Sequence, residues 1–266
     1  MPDNKYVHDS GKEAVCVDAG RVYDSCADKD CLEDLRVYFT EREQMLIDHA
    51  TSIRTRGAEV INIHIDVEPL PFNRGYYACD LTFYFKVDID VMNGRCTPCS
   101  VASGIAMFQK KVILYGSEGN VKVFCSEFSC GGCDKQEMPT QNLPRCCVQV
   151  AEPVVLSARL CNPQEKPVCC TCFCDCSAVP EYICHRFGGN FCDEGCEKRV
   201  YVSLGIFSIV QLVRNVQMLM PVYDFCLPSK ECSCPDQDTP CDLFKKMSFP
   251  VNEFFPPKQE TKGCGC

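Results

Sequence analysis

The sequence lacks the segments that direct a chain into or across a membrane. No stretch approaches the roughly 18–20 apolar residues of a membrane-spanning helix, because Ser203, Ser208 and Gln211 interrupt the longest apolar region. The first residues, MPDNKYVHDSGKEAV, contain no apolar core of a secretory signal peptide. We therefore expect a soluble protein without a membrane span, synthesised in a reducing cytosol without a signal peptide.

Positive charge is also scarce. The chain has 27 lysines and arginines against 36 acidic residues, which gives a net charge of −9. It contains no basic run with interleaved aromatic residues. Because a nucleic-acid backbone attracts basic surfaces, this balance predicts no nucleic-acid partner.

Patterns typical of catalysis are missing as well. The four histidines, His8, His49, His64 and His185, have no matched partners in the sequence, and the segment GSEGN resembles no phosphate-binding loop. A C-x-x-C motif of a thioredoxin-like enzyme would open a helix in a βαβ unit, and no such unit is visible. We predict that the protein is not an enzyme and has no cofactor.

Cysteine, by contrast, is abundant, with 26 in 266 residues. Small secreted domains use such density because they cannot bury enough apolar surface, but this chain is 46% hydrophobic and can build a core. Cytosolic cysteines normally stay reduced or bind metal. The exception is a protein that is made in the cytosol and exposed later, such as a virion or spore-surface component.

Alternation of apolar and polar residues predicts a mostly β, antiparallel, sandwich-like fold. The segment EVINIHIDV, a turn EPLPFNRG and the segment YYACDLTFYFKVDIDV predict a hairpin with one buried face. His64 falls on its polar face, with the acidic residues Asp80, Asp88 and Asp90, which indicate a solvated or interface-facing stripe rather than a calcium site. The residues expected in the core are Tyr77, Leu81, Phe83, Phe85, Val87, Ile61, Ile63 and Ile65.

Further elements follow the same reasoning. KKVILYGSEGNVKVFCSEF predicts a second hairpin, and CCVQVAEPVVLSARL predicts a strand in which Pro153 marks an edge or bulge. RVYVSLGIFSIVQLV and VQMLMPVYDFCLP predict two more strands, and only TEREQMLIDHA predicts a helix. The expected organisation is an N-terminal arm (1–14), a β domain (15–160), an irregular cysteine-rich segment (161–198), a pair of strands forming a small domain or completing the first (199–228), and a flexible cysteine-containing tail (229–266).

Two C-x-x-C motifs raise the possibility of zinc. They are CTPC, with Cys96 and Cys99, and CGGC, with Cys130 and Cys133. A structural zinc site takes four thiolates from two such motifs, and an intervening hairpin could bring them together. The alternative is that these cysteines lie in loops, where they form disulfides or stay reduced.

The segment CCTCFCDC has five cysteines in eight positions. In an extended strand Cys170, Cys172, Cys174 and Cys176 would share one face about 6.5–7 Å apart, whereas a relaxed disulfide prefers Cα atoms about 5.5–6 Å apart. They therefore bend around a metal or bond to partners elsewhere. We name these four, with Cys264 and Cys266 of the tail, as candidates for cross-links that include bonds between chains.

Four longer segments resemble a known family: RVYDSCADKDCLEDLRVYFT, DVEPLPFNRGYYACDLTFYFKVDIDV, KKVILYGSEGNVKVFCSEF and GIFSIVQLVRNVQMLMPVYDFCLP. They are similar to the cysteine-rich spore-surface proteins of the exosporium of clostridia. The resemblance covers most of residues 15–228.

The resemblance implies a structural protein of the exosporium or spore coat without enzymatic activity. It implies self-assembly, through units that are hexamers, into a disulfide-cross-linked two-dimensional crystalline lattice, in contact with other spore-surface proteins. Synthesis in the mother-cell cytosol and later oxidation would reconcile the missing signal peptide with the cysteine content. The alternative function is a cysteine-rich zinc-binding module.

Overall fold

A computed structural model describes residues 13–94, 100–119, 121–124, 126–127, 135–136, 140–162, 176, 179–192 and 195–222. Two short helices are present among them, α1 (Glu41–Asp48) and α2 (Glu181–Phe187). The strands are β1 (Glu13–Thr40), β2 (Ser52–Pro69), β3 (Tyr76–Met92), β4 (Ser100–Tyr115), β5 (Lys122–Val123), β6 (Ser126–Glu127), β7 (Lys135–Gln136), β8 (Thr140–Gln141), β9 (Arg145–Val150), β10 (Val154–Cys161), β11 (Phe191–Cys192) and β12 (Arg199–Val222).

The chain divides into two units. Residues 18–216 form the larger unit, which contains the sheet and both helices. The smaller unit combines residues 1–17 with residues 217–266. Its described part consists of strand residues at the start of β1 and the end of β12.

The larger unit is built on one antiparallel sheet. Its strand order is β10-β12-β1-β4-β3-β2, with β9 also paired to β12 and β11 to β1. The two outermost strands of this order, β2 and β10, approach each other, and all seven long strands contribute side chains to one apolar cluster. The sheet therefore curls around a single core, which confirms the prediction of a mostly β, antiparallel fold.

The hairpin predicted from the alternating segments is confirmed. β2 and β3 pair along their whole length, from Pro69 opposite Tyr77 to Ser52 opposite Met92. The apolar face of β3 points into the core, where Phe83 stacks between the rings of Phe85 and Phe108 at centroid distances of 6.2 and 5.9 Å. The core residues predicted on this strand are all buried: Tyr77, Leu81, Phe83, Phe85 and Val87.

Burial along β2 differs from the prediction. Ile61, Ile63 and Ile65 are half-buried, because β2 is an outer strand of the sheet. A bulge shifts the pairing register between Val60 and Asn62, so Ile61 packs with a separate cluster instead of the main core. A bulge inserts an extra residue and reverses the faces beyond it, which simple alternation does not reveal. His64 is exposed, as expected for the polar face.

A change of backbone conformation at Asp34 allows side chains from both halves of β1 to pack into the core. Asp34 has a φ of 53°, in the left-handed region that is uncommon for residues other than glycine. Before it the buried position is Leu32, and after it the buried positions are Leu35 and Val37. The backbone N–H of Asp34 donates to Ser203 Oγ at 3.2 Å, and its carboxylate accepts from Arg159.

The segment around Pro153 forms two strands where one was predicted. β9 ends and β10 begins on either side of Pro153, and both pair with β12. Proline has no backbone N–H to donate to a neighbouring strand, which explains why the strand is interrupted at this outer position of the sheet. β12 itself replaces the pair of strands expected over 199–228, because the chain runs as one strand as far as Val222.

The second predicted hairpin is wrong. β4 pairs with β3 and β1. A turn containing Gly116 and Gly119 follows β4, and β5, which comes after this turn, pairs with β8. Gly119 in that turn has a φ of 129°, a conformation suited to glycine. The turn therefore leads the chain away from β4 instead of back along it.

The two helices lie beside the sheet. α1 agrees with the helix predicted from TEREQMLIDHA, and its Ile47 enters the main core. α2, which the sequence analysis missed inside the cysteine-rich segment, buries Ile183 against Tyr84 and Met107 on the outer face of the sheet. No helix within the described ranges is long and apolar enough to cross a membrane.

The two faces of β3 predict opposite responses to truncation. Phe83→Ala should lower the free energy of unfolding by about 3–5 kcal/mol, because it leaves a cavity among buried rings. Thr82→Ala, on the outer face of the same strand, should change it by less than about 1 kcal/mol. Urea unfolding of the reduced protein measures both values, and similar small effects would contradict the assignment of faces.

Candidate functional site

Most of the cysteines predicted to carry function lie outside the described residues. This holds for the zinc candidates Cys96, Cys99, Cys130 and Cys133, and for the cross-linking candidates Cys170, Cys172, Cys174, Cys264 and Cys266. Their roles stay predictions.

Cys176 is the cross-linking candidate that the structure does place. It is half-buried, and its side chain packs against the cluster formed by Tyr38, Ile183 and their neighbours. Its carbonyl oxygen accepts a hydrogen bond from the backbone N–H of Val179 at 3.3 Å. Cys176 therefore lies on the outer face of the sheet, close to α2.

Three described cysteines contribute to the main core. Cys79 of β3 is fully buried, and Cys26 of β1 and Cys146 of β9 pack against the same cluster. The thiols of Cys79 and Cys146 lie close enough to interact, and this interaction lowers the pKa of Cys79. The same interaction and burial raise the pKa of the Cys146 thiol, so it stays protonated at neutral pH.

Four other described cysteines also have thiols with a raised pKa. Burial raises the pKa of the thiols of Cys26, Cys184, Cys192 and Cys196 above the ordinary value. Reactive and metal-binding cysteines need the thiolate form, which a raised pKa suppresses. These four thiols therefore lack the activation that a catalytic nucleophile requires.

Two of the acidic side chains on the outer face of β3, Asp80 and Asp88, form ion pairs with lysines, and Asp90 on the same face is half-buried. Asp80 pairs with Lys111 at 3.0 Å, and Asp88 pairs with Lys86 at 2.9 Å and accepts from Ser103 Oγ at 2.5 Å. No group of three or more potential metal ligands occurs in the described part of the chain. The polar stripe in this region is a set of surface ion pairs.

Lys110 makes a further ion-pair centre between β4 and β1. Its Nζ lies 2.7 Å from carboxylate oxygens of both Asp28 and Asp30. Burial alone would lower the pKa of Lys110, but the hydrogen bonds to the two carboxylates raise it. The same contact lowers the pKa of Asp28. Opposite charges here join neighbouring strands.

Arg214 is the most unusual polar residue that the structure describes. It is only 5% exposed, yet the described acceptors around its guanidinium are carbonyl and hydroxyl oxygens and not carboxylates. Nη1 donates to the carbonyl oxygens of Gly119 (2.7 Å) and Asn142 (2.9 Å). Nη2 donates to the Tyr77 hydroxyl (3.0 Å) and the Ser117 carbonyl (3.1 Å). Arg214 thus holds two loops against the end of the sheet.

A shallow groove of about 570 Å³ lies beside these loops. Its wall is formed by the β2–β3 turn, by Tyr77 and by the two loops that Arg214 holds. The charged residues in the lining are Arg74 and Glu118, which carry opposite signs. The described lining combines apolar surface with one pair of charges, and none of these described residues is a cysteine or histidine.

Exposed apolar side chains gather at this end of the sheet. We call Phe72, Tyr76, Ile113 and Tyr115 the hairpin-end patch. Phe72, in the turn, is 97% exposed, and Tyr76 packs edge to face on Tyr115 with ring centroids 5.2 Å apart. Tyr76 and Tyr115 are partners in the β3–β4 ladder, and Ile113 shares their outer face.

A second group of exposed apolar side chains lies on the other half of the sheet. We call Val154, Leu156, Phe207 and Ile209 the β10–β12 patch. Leu156 of β10 extends over Gly205 of β12, where its methyl groups lie about 4 Å from the position of a Cβ atom. Lys29 of β1, the neighbour of β12 on the side away from β10, lies 5.7 Å from the centre of the Phe207 ring. Contiguous exposed apolar groups mark interaction sites more often than isolated ones do.

No family model, curated protein or solved structure matches this chain.

Sequence reasoning missed three features of this region. The contact between Cys79 and Cys146 joins strands that are distant in sequence, and periodicity carries no sign of it. The two patches depend on which strands become neighbours. Arg214 could have been recognised, because it continues the inward positions of Val210 and Leu212 on β12.

Replacement of Arg214 should destabilise the larger unit. Arg214→Met should lower the free energy of unfolding by roughly 2–4 kcal/mol, because it leaves three loop carbonyl groups and the Tyr77 hydroxyl without the donor that they share. Arg145→Met, at an exposed position of the neighbouring strand β9, is the matched control and should cost less than about 0.5 kcal/mol. Urea unfolding under reducing conditions compares the two, and equal costs would exclude the structural role of Arg214.

Proposed function

We propose that this chain is a structural protein that self-assembles into a disulfide-cross-linked, two-dimensional layer on a spore surface, the exosporium or coat. The observation that carries self-association is the pair of exposed apolar patches on one curled sheet. The cysteine content supports covalent joining of the assembled copies. The location on a spore, the hexameric units and contacts with other spore-surface proteins rest on the resemblance of the sequence to clostridial exosporium proteins.

The placement of the patches favours repeated association. The hairpin-end patch lies on β3 and β4 and the turn before them, and the β10–β12 patch lies beyond β1 in the strand order. When two different surfaces of one chain bind each other, each copy keeps one surface free for the next. Such contacts close into rings or continue into extended arrays, according to the rotation between copies.

The chemistry of the described polar groups supports a structural role in place of a catalytic one. The lysines of the β3–β4 and β1–β4 strand pairs are held in ion pairs with aspartates, and Arg214 is occupied by loop carbonyls. The thiols with a raised pKa are poor nucleophiles at neutral pH. These groups stabilise strands and loops, which suits a protein whose product is its own assembly.

Assembly is the first test of the proposal. We expect electron microscopy and light scattering of the purified protein to show sheets or large rings, with ladders of cross-linked chains on non-reducing electrophoresis. A monodisperse monomer under oxidising conditions, well above micromolar concentration, would contradict the proposal. Stoichiometric zinc in protein purified under reducing conditions, with unfolding on chelation, would favour the zinc-module alternative.

Charge placed in the β10–β12 patch should prevent assembly without unfolding the chain. We predict that Phe207→Glu with Ile209→Glu reduces the assembled fraction at least tenfold, because two charges would have to be desolvated in the contact. Met45→Glu, at a 59% exposed position on α1, is the matched control and should assemble as the parent does.

Light scattering of the reduced proteins measures the effect, and circular dichroism confirms that each variant is folded. If the doubly charged variant assembles like the Met45→Glu control, the β10–β12 patch is not an assembly surface.

Removal of the cross-linking candidates should weaken the layer and leave the fold intact. With Cys170, Cys172, Cys174, Cys176, Cys264 and Cys266 all replaced by serine, we expect a folded protein that assembles through non-covalent contacts. Its assemblies should dissociate at lower denaturant concentration than those of the parent when no reductant is present. Equal resistance would place the cross-links elsewhere, and failure to fold would indicate an internal staple or a metal site.

A further inference from the structure

The curled sheet has a seam where its two outer edges meet. The strand order begins at β10 and ends at β2, and no backbone ladder joins these two strands within the residues described. A hydrogen bond does cross at this point, from the backbone N–H of Val60 to Glu152 Oε2, at 3.3 Å. Side-chain packing beneath the seam therefore supplies most of the described interactions that keep the sheet closed.

Two cysteines meet beneath this seam. Cys79 lies on β3, opposite Val67 of the edge strand β2, and Cys146 lies on β9, which contacts β2 from the other side. Cys79 lies in the main core, and Cys146 packs against it. Tyr77, two residues before Cys79, accepts a hydrogen bond from Arg214 of β12, and Cys146 is the ladder partner of Leu212, two residues before Arg214. The two cysteines therefore lie at the same end of the core, and the interaction between their thiols agrees with this placement. Neighbouring residues point to opposite faces of a strand, so Cys147 points away from this contact, as the packing of Cys146 and Val148 on the core confirms.

We propose that Cys79 and Cys146 are a site of oxidation and form an intrachain disulfide that closes the seam of the sheet. The pairing joins strands that are far apart in sequence and lie on opposite sides of the seam. It needs no second copy of the chain, so it stands whether or not the protein assembles.

The accessibility of the two thiols sets the order of the reaction. Cys146 is half-buried and can meet an oxidant, whereas Cys79 has no exposed surface and can react only with a neighbour. With a low-molecular-weight disulfide as oxidant, Cys146 reacts through the small fraction that is thiolate, so the step is slow at neutral pH and faster at alkaline pH. The thiolate attacks one sulfur, which breaks the small S–S bond and releases one small thiol. Cys79 then loses its proton and attacks the Cys146 sulfur, forming the new bond and releasing the second small thiol. Two electrons and two protons pass from the protein to the oxidant.

The bond would stabilise the fold by restricting the unfolded chain. It closes a loop from residue 79 to residue 146, and cross-links of this kind raise the folding equilibrium constant by roughly 30- to 800-fold. Its position beneath the seam would also oppose separation of β9 from β2, the step by which the curled sheet would open.

Peptide mapping of the full chain tests the pairing directly. Cleavage after lysine and arginine releases GYYACDLTFYFK, with Cys79 as its single cysteine, and CCVQVAEPVVLSAR, with Cys146 and Cys147. The folded, reduced protein is incubated with oxidised glutathione, its remaining thiols are alkylated, and it is digested without reductant. Mass spectrometry should then find these two peptides joined in the parent and in the Cys147→Ser variant.

The outcomes are distinct. Recovery of the Cys79 peptide in alkylated form, or joined to another peptide such as VYDSCADK with Cys26, would overturn the proposal. So would loss of the joined pair in Cys147→Ser, since that result would assign the bond to Cys147. The map of the parent and the Cys147→Ser variant is sufficient, so the result does not depend on whether a variant at Cys146 folds.

A stability comparison supplies a second readout. After oxidation, Cys147→Ser should unfold at a higher urea concentration than Cys146→Ser, by the equivalent of at least a 30-fold difference in the folding equilibrium constant. Addition of a reductant should remove most of that difference. A difference that is unchanged by reductant would show that Cys146 acts through packing alone, and would contradict a stabilising disulfide.

Discussion

Burial of one face of β3 is the constraint on which the rest of this structure depends. That strand presents an unbroken series of apolar side chains, and a single flat sheet would leave them in water. Curling of the sheet brings the inner face of β12 over them, so that Phe83 and Phe85 share a core with Val202 and Leu204. Each large side chain buried in this way contributes about 1.5–3 kcal/mol. The other strands take the positions that complete this enclosure.

Local departures from regular strand geometry allow the sheet to curl and enclose the core. Asp34 adopts a left-handed conformation that shifts the phase of β1, and the register of β2 shifts beside Ile61. Pro153 separates β9 from β10, and these two strands pair with successive parts of β12. Arg214 then holds loops at one end, where strands no longer satisfy the backbone carbonyl groups.

These features connect the fold to the proposed assembly. The curled sheet buries most of its inner face, and the two helices that the structure describes cover only part of its outer face. α2 covers the part around Tyr84 and Met107, while the hairpin-end patch and the β10–β12 patch stay exposed. Apolar surface left in this way on a chain rich in cysteine is suited to association followed by oxidation. Non-covalent contact would set the geometry, and disulfides would make it durable.

The sequence by itself determined the class of the fold, the β2–β3 hairpin, helix α1 and the buried face of β3. These depend on periodicity within one segment, which neighbouring residues decide among themselves. Only the tertiary structure decided that β4 pairs with β3 and β1, that β12 is continuous, and that α2 covers the outer face. It also decided the meeting of Cys79 with Cys146 and the choice of exposed patches. Such pairings depend on which distant segments bury each other's surfaces, and no local pattern of residues encodes that choice.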